Sequence, residues 1–167
     1  FLIEQVDSIL DDTTKDKENF LVNNHSKRLT KIINETFNEL LQNKKIIFIG
    51  EDILDPYGGT FKITKGLQKK FKDQFFSSPI SEAGITALAG GMCLSDHIPV
   101  VEIMFGDFTG LIFDQILNYI SKYPLMYPNS FSNALIIRTP MGGRRGYGPT
   151  HSQSIEKYFL GIPNFNV

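Results

Sequence analysis

The feature that most constrains the fold is a run of four consecutive apolar residues at positions 46–49. Apolar residues upstream, at positions 29–41, recur at helical spacing and predict an amphipathic helix that ends near Asn43. Because the run is continuous rather than alternating, it is typical of a strand that is covered on both faces, as in a parallel sheet. The sequence therefore predicts a central parallel strand over residues 45–50.

The same alternation of helix and strand recurs along the rest of the chain. Periodicity and apolar runs predict a helix, a strand, a helix and a strand over residues 82–94, 99–105, 109–123 and 134–138. This order favours an α/β fold in which a parallel sheet with right-handed crossovers has helices on both faces, giving three layers. Ligands bind such sheets at the carboxyl ends of the strands, so site residues are expected directly after the strands.

The composition excludes several classes of protein. The 167 residues, 41% of them hydrophobic, suffice for one domain with an apolar core. A formal net charge of -1 lacks the basic footprint of a nucleic-acid-binding domain. The single cysteine, Cys93, forms neither an internal disulfide nor a zinc site by itself. No apolar run reaches the roughly 18 residues of a membrane span, so we expect a soluble, intracellular protein.

Residues 1–24 differ from the rest of the chain. After a short apolar stretch, polar and charged residues dominate positions 11–19, and no periodicity survives there. This pattern predicts a linker or tail, followed by one domain over residues 25–167. Position 1 is Phe rather than Met, and residues 164–167 resemble the opening of another strand. We therefore expect a piece of a longer protein whose domain is truncated at its C-terminal end.

Glu82 opens the second predicted helix and follows Ser81, a residue type that caps helix N-termini. An acid in a first turn usually complements the helix dipole, which is an ordinary structural role. The helix behind it is unusual because residues 83–91 are mostly Gly and Ala, and an interior glycine costs up to about 1 kcal/mol relative to alanine. Another subunit, a ligand or tight packing within the domain would each explain these small residues.

Two more candidates follow predicted strands. Glu51 comes directly after the first strand, whereas Asp52 and Asp55, in the same loop, are best interpreted as solvated acids. Phe108 follows the strand predicted over residues 99–105. Aromatic residues usually belong to the core, but a phenylalanine on a loop at the ligand edge can instead form a flat platform for a heteroaromatic ring.

The segment 140–154 combines four glycines with Arg144 and Arg145. Such a loop suits a backbone that bends sharply and contacts an anion, although an arginine-bearing surface loop is an equally good interpretation. The segment matches neither the GxxxxGK[ST] nor the GxGxxG phosphate-binding pattern. His151 is the histidine best placed for proton transfer. Zinc-hydrolase and serine-hydrolase motifs are absent, and we predict no metal site in this chain.

Six motifs, taken in order, resemble one family, the beta subunits of thiamine-diphosphate-dependent 2-oxo acid dehydrogenases of the pyruvate and branched-chain complexes. The resemblance is to the pyrimidine-binding domain, extends from about residue 25 to residue 167, and depends on residues 50–52, 57–67, 79–84, 99–105, 113–115 and 151–154. It implies the transketolase-like fold of that domain. It also implies oxidative decarboxylation of a 2-oxo acid with acyl transfer to lipoamide.

The resemblance implies roles for individual residues. Glu82 lies where the family has the glutamate that hydrogen-bonds a ring nitrogen of the aminopyrimidine and so activates the cofactor. Phe108 lies at the position that stacks on the pyrimidine, Glu51 at that of an acid near the ring, and His151 at that of a histidine linked to acyl transfer. The pair Arg144 and Arg145 departs from the small or apolar residues of many members, which leaves the substrate open.

The resemblance also implies partners. An alpha subunit, or an alpha module fused to the same chain, is expected to hold Mg2+ and the diphosphate of the cofactor, because this chain lacks the corresponding Gly-Asp-Gly motif. A homo- or hetero-oligomer, the lipoyl domain of an acyltransferase, and a location in the bacterial cytoplasm or the mitochondrial matrix are further expectations. Two alternatives are another thiamine-diphosphate enzyme, of transketolase or deoxyxylulose-phosphate synthase type, and a catalytically silent module for subunit interaction.

Overall fold

The structure is a computed structural model that describes residues 28–129, 134–144 and 146–167. The predicted linker over residues 1–24 lies outside these residues, as do His25 and Arg145. The main elements, numbered in chain order, are α1 (Leu29–Leu40), β1 (Ile46–Gly50), α2 (Leu67–Lys70), β2 (Phe75–Ser77), α3 (Glu82–Met92), β3 (Ile98–Glu102), α4 (Tyr123–Met126) and β4 (Ile136–Arg138). In the described part of the chain, no helix is long and apolar enough to cross a membrane.

The four strands form one parallel sheet in the order β2-β1-β3-β4. β1 and β3 occupy the centre and are buried along their whole length. Their register pairs Phe48 with Val100 and Gly50 with Glu102. The predicted parallel α/β sheet is therefore confirmed, and the continuous apolar run after α1 is its central strand, as expected for a strand covered on both faces.

Alternate side chains of the central strands enter two separate apolar layers. The first layer contains Phe48 and Val100, which pack with Phe37 of α1 and with Phe75 of β2. In this layer the rings of Phe37 and Phe48 meet edge to face at 4.7 Å, and those of Phe48 and Phe75 stack at 5.1 Å. The second layer contains side chains from the other face of β1 and β3 together with α3 and later segments: Ile49, Ile85, Ala89, Val101, Ile103, Ile112, Ile116, Phe159 and Ile162. The predicted three-layer arrangement is confirmed.

The prediction of a regular α-helix over residues 109–123 is wrong. A 3-10 helix spans Gly106–Ile112, and a π-helix spans Gln115–Ile120. Glycine and β-branched threonine disfavour a regular first turn, and the Thr109 hydroxyl donates instead to the Gly106 carbonyl at 2.6 Å. The π-type widening is evident where the Ser121 amide donates to the Ile116 carbonyl, five residues back, at 3.0 Å.

Two predictions about strands also need correction, and one strand was missed. The strand predicted over residues 99–105 ends at Glu102, because the chain leaves the ladder soon after the Ile103 amide bonds to the Arg138 carbonyl at 2.9 Å. β2 was not predicted, since a three-residue strand has too few side chains to show a period. Residues 164–167, expected to open another strand, have no strand conformation.

The small residues of α3 have two different environments. A Cβ atom on Gly90 would lie 2.6 Å from the Tyr119 ring and 3.0 Å from Ile120, so the π-helix approaches α3 closely at this position. A Cβ atom on the neighbouring Gly91 would find no atom within 4 Å. Tight packing within the domain therefore explains Gly90, whereas Gly91 lies on an open face of the helix.

Candidate active site

The loops that follow β1, β3 and β4 meet at one edge of the sheet. Phe61, from the segment after β1, contacts Phe105, after β3, with ring centroids 6.3 Å apart. Phe105 in turn stacks on the imidazole of His151, after β4, at 4.2 Å. Since these are the carboxyl ends of parallel strands, the structure brings the three loops, and the predicted candidate His151, to one edge of the sheet.

Glu51 and Glu82 lie together at the N-terminus of α3. Ser81 caps the helix, because its hydroxyl accepts a hydrogen bond from the Gly84 amide at 3.3 Å. The Ser81 amide donates to the Glu51 carboxylate, also at 3.3 Å. Burial raises the pKa of Glu51, the negative charge of Glu82 raises it further, and the hydrogen bond from Ser81 opposes both effects. Two acidic groups thus influence each other at this end of the sheet.

Glu82 is unusual because its side chain is ionisable and yet only 8% exposed. None of the hydrogen bonds among the described residues uses its carboxylate, so the group is available to a ligand. It lies in the first turn of α3, where the helix dipole favours a negative charge. Such a carboxylate can accept a hydrogen bond from an N–H group that enters the site.

Phe108 and His151 belong to the aromatic cluster at the sheet edge. The Phe108 ring meets the imidazole edge to face, with centroids 5.5 Å apart and planes inclined by 75°. Phe108 is partly buried and also packs against the second apolar layer. It therefore contributes to the core, as aromatic residues usually do, and its ring also contacts His151; the platform for a heteroaromatic ring stays a prediction.

Asp107 is a further residue of this site and was not predicted as a candidate. One carboxylate oxygen lies 3.4 Å from His151 Nδ1, and the other accepts a hydrogen bond from the Gln153 side-chain amide. The two partners lie 44 and 46 residues away along the chain. The available sequence signal was an acid directly before Phe108, in a loop after a predicted strand.

Glu102 is a second unpredicted acid, located at the end of β3. It pairs with Arg138 on the neighbouring strand, and its other carboxylate oxygen has no hydrogen-bond partner among the described residues. Burial raises the pKa of Glu102 to about 7, although the positive charge of Arg138 opposes the shift. The signal that identifies it is a charged residue inside an otherwise apolar strand, since such residues are rarely buried without a partner.

The glycine-rich segment bends as its sequence predicts. Gly142, Gly146 and Gly148 have φ values of 94°, 75° and 72°, in the left-handed region that favours glycine. Arg144 is exposed and forms no hydrogen bond or ion pair with the described residues. Tyr147 reaches Phe105, with ring centroids 6.0 Å apart. The segment therefore borders the aromatic cluster, with Arg144 at its surface.

Other polar residues considered from the sequence have local roles. Asp52 is exposed, and its charge contributes to the raised pKa of Glu51, whereas Asp55 accepts a hydrogen bond from the Gly66 amide at 3.0 Å, which stabilises its own loop. His97 precedes β3 and lies 2.8 Å from the Ser95 hydroxyl. Cys93 is buried, and burial raises the pKa of its thiol to about 12, which makes it a poor nucleophile.

Comparison with known proteins places the chain among one set of relatives. Residues 25–167 match the family described as transketolase, pyrimidine binding domain. A pyruvate dehydrogenase E1 component subunit beta from Leifsonia xyli is 36% identical over 121 residues, which cover 72% of this chain and 36% of the relative. The acetoin:2,6-dichlorophenolindophenol oxidoreductase subunit beta of Cupriavidus necator is 32% identical over 145 residues, covering 81% and 43%.

Two further comparisons agree with these. The mitochondrial 2-oxoisovalerate dehydrogenase subunit beta of Dictyostelium discoideum is 36% identical over 128 residues, which cover 75% of this chain and 34% of the relative. A solved structure, described as a split gene transketolase in an inactive beta4 tetramer, superposes with a TM-score of 0.50 at 25% identity and covers 68% of this chain. The chain spans only 34% to 43% of the length of these three curated relatives.

Proposed function

This chain belongs to the transketolase pyrimidine-binding domain family, and from that membership we propose that it is the pyrimidine-binding part of a 2-oxo acid dehydrogenase beta subunit. The observation that supports this function best is that the buried Glu82 with its neighbour Glu51, and the Phe108–His151 pair, both lie at the edge where the parallel strands end. The related beta subunits of pyruvate, acetoin and 2-oxoisovalerate enzymes support it further.

The donor set fits the aminopyrimidine ring of thiamine diphosphate. The ring has nitrogens that need hydrogen-bonding partners and two flat faces that need apolar contacts. The buried carboxyl group of Glu82 can form a hydrogen bond with a ring nitrogen when one proton is shared between them, and Phe108, at the same edge of the sheet, presents an aromatic ring. When bound, thiamine diphosphate supplies the electron sink for decarboxylation of the 2-oxo acid.

Glu82 and Glu51 would have different roles at the aminopyrimidine ring. Glu82, at the positive end of α3, would form a hydrogen bond with the ring nitrogen and fix the orientation of the ring. Glu51, whose pKa is raised by burial and by the charge of Glu82, would be the second acid near the ring. His151 faces the same cluster and would handle the proton that moves during acyl transfer to lipoamide.

An alpha subunit, or an alpha module in the same chain, would hold Mg2+ and the diphosphate. Asp107, the acid in the Gly106-Asp107-Phe108 segment, is occupied by His151 and Gln153, and so it is a poor candidate for a metal ligand. The described residues contain no group of three or more His, Cys, Asp or Glu side chains placed to hold a metal ion. The partner would therefore complete the cofactor site.

The open face of α3 supports assembly with another subunit. Leu88 is 58% exposed on this face, and Gly91 has free space in front of it. Ala83 and Ala87 are half-buried in the isolated chain. We place a neighbouring subunit against this face, where small residues permit close approach. A catalytically silent module would use the same face but would not need the acids and His151 at the sheet edge.

The glycine-rich segment and its arginines would bind an anion. Arg144 has a free guanidinium group at the surface beside the aromatic cluster, and Arg145 follows it in sequence. A guanidinium binds a carboxylate through two parallel hydrogen bonds, so the carboxylate of the 2-oxo acid and an acidic patch on the lipoyl domain are both suitable partners.

The compartment we propose is the bacterial cytoplasm or the mitochondrial matrix.

The test is Glu82→Gln in the enzyme assembled from the full-length protein and its alpha partner. Decarboxylation should be abolished while the fold is retained, because glutamine preserves the shape of the side chain and removes a buried charge. The matched control is Glu39→Gln on α1, an exposed position away from the site. Near-normal turnover of Glu82→Gln would contradict the proposal. Turnover of sugar phosphates instead of 2-oxo acids would favour an enzyme of transketolase or deoxyxylulose-phosphate synthase type.

A further inference from the structure

We infer that Asp107 is a positioning residue that fixes the tautomer and the orientation of His151, so that the imidazole presents Nε2 to the reacting group. The inference depends on the proposed function in one respect, which is that His151 acts in acyl transfer. The hydrogen-bonding pattern itself is a property of this chain and can be tested separately.

Both oxygens of the Asp107 carboxylate are directed at one short segment of the chain. Oδ2 lies 3.4 Å from His151 Nδ1, and Oδ1 accepts from Gln153 Nε2. The carboxylate is only 14% exposed, compared with 31% for the imidazole. The Gln153 carbonyl accepts a hydrogen bond from the Gly142 amide at 3.0 Å, which connects this segment to the start of the glycine-rich loop. The acid thus anchors the segment that contains the histidine.

The chemistry of the carboxylate determines the tautomer. An ionised carboxylate only accepts hydrogen bonds, so the nitrogen that faces it must have a proton. A neutral imidazole has one N–H group, and its position on Nδ1 leaves Nε2 as the unprotonated, basic nitrogen. The same reasoning explains why the aspartate of a Ser-His-Asp triad holds its histidine in the productive tautomer.

Aromatic contacts fix the remaining freedom of the ring. Phe105 stacks on the imidazole with an angle of 14° between the planes, and Phe108 contacts it edge to face. Stacking sets the plane of the imidazole, and the hydrogen bond that Nδ1–H donates to Asp107 sets its rotation within that plane. Nε2 must then point away from Asp107. Because Phe108 is also the proposed stacking residue for the cofactor ring, the imidazole would lie near the bound cofactor.

Asparagine at position 107 makes this reasoning testable. Its amide has one accepting oxygen and one donating nitrogen. Gln153 donates to the present Oδ1, so an asparagine can keep its oxygen towards Gln153 and direct its NH2 group at His151. An NH2 donor needs an unprotonated Nδ1, and the proton of the imidazole then moves to Nε2. Asp107→Asn should therefore reverse the tautomer while preserving the size of the side chain.

The first measurement is solid-state 15N NMR of the assembled full-length enzyme, with the histidine ring nitrogens labelled. A His151→Gln sample identifies the resonances of His151 by difference. At neutral to slightly alkaline pH, we expect protonated Nδ1 and unprotonated Nε2 in the wild type, and the reverse in Asp107→Asn. His97, whose Nδ1 lies 2.8 Å from the Ser95 hydroxyl, is an internal control whose resonances should not change. The same His151 tautomer in both proteins would overturn the inference.

The second measurement is acyl transfer to lipoyl domain, compared with decarboxylation in the presence of an artificial oxidant. Asp107→Asn should lower acyl transfer at least tenfold and leave cofactor affinity within twofold of the wild type. Asp73→Asn, at an exposed position beyond α2, is the matched control and should behave as the wild type. If His151→Gln transfers acyl groups normally, the proposed role of His151 fails. If His151→Gln is impaired but Asp107→Asn is not, the positioning role of Asp107 fails.

Discussion

Two neighbouring glycines of α3, Gly90 and Gly91, should respond to alanine in opposite directions. Both lie in a helix, where alanine is favoured over glycine by about 0.5–1 kcal/mol because it has less conformational freedom to lose on folding. At Gly91 the added methyl group contacts nothing within 4 Å. Gly91→Ala should therefore raise the free energy of unfolding of the unassembled chain, which has no neighbouring subunit against this face, by about that amount.

At Gly90 the same gain is opposed by overpacking. The new Cβ would lie 2.6 Å from the Tyr119 ring and 3.0 Å from Ile120 Cγ1, so the π-helix must move away from α3. Tyr119 has little room to move, because its ring packs edge to face against Tyr123 at 5.7 Å. Overpacking typically costs about 1–3 kcal/mol. The net result expected for Gly90→Ala is a loss of about 1–2 kcal/mol.

Urea denaturation of the full-length protein measures both variants on one scale. The midpoint should increase for Gly91→Ala and decrease for Gly90→Ala, with the dependence on urea concentration unchanged. Because the two positions are adjacent, helix propensity cannot account for a difference in sign between them. A Gly90→Ala variant as stable as the wild type would refute the close contact between α3 and the π-helix.

Three other predictions concern Glu102, Gly50 and Arg144. Burial raises the pKa of Glu102 from 4.5 to about 7, so between these values the folded state keeps a proton that the unfolded state has lost. The free energy of unfolding should therefore decrease as the pH rises from about 5 to 8. In Glu102→Gln, the free energy of unfolding measured by denaturation should depend less on pH across that range. Gly50→Ala should lower the free energy of unfolding by about 1–3 kcal/mol in the same urea assay, since its Cβ would lie 2.7 Å from the Glu102 carbonyl oxygen. Arg144→Ala should change the free energy of unfolding by less than about 0.5 kcal/mol. In steady-state assays it should raise the KM for the 2-oxo acid or for the lipoyl domain and leave the affinity for the cofactor unchanged. Unchanged KM values for both would contradict an anion-binding role.

Elements with a strong one-dimensional pattern were predictable from the sequence. The run at positions 46–49 is typical of a strand covered on both faces, and it is β1. The apolar run after Pro99 was equally clear, but its end was not, because Ile103 is as apolar as the strand residues and is buried in the second layer. Hydrophobicity reports burial, whereas the end of a strand depends on where the neighbouring strand stops.

The site was predictable only in part, because its hydrogen-bonding partners are distant in sequence. Glu51, Phe108 and His151 could be selected since each follows a strand, and the structure brings these loops together. Asp107 could not be assigned to His151, because no local pattern indicates which of many acids a histidine will meet. Glu102 was overlooked in a similar way, since its partner Arg138 lies on a strand that is formed 36 residues later.

The two apolar layers also imply an order of events during synthesis. Most of the first layer comes from residues 37–75, and β3 adds Ile98 and Val100, so it can close once the chain has reached about residue 100. The second layer requires segments as late as Phe159 and Ile162. On the ribosome, where segments emerge from the N-terminus onward, a three-stranded sheet would therefore exist with one face covered and the other covered only by α3. The part of that face which α3 leaves exposed is the surface a chaperone would bind, and the site residues that follow β3 and β4 assemble only as it is covered.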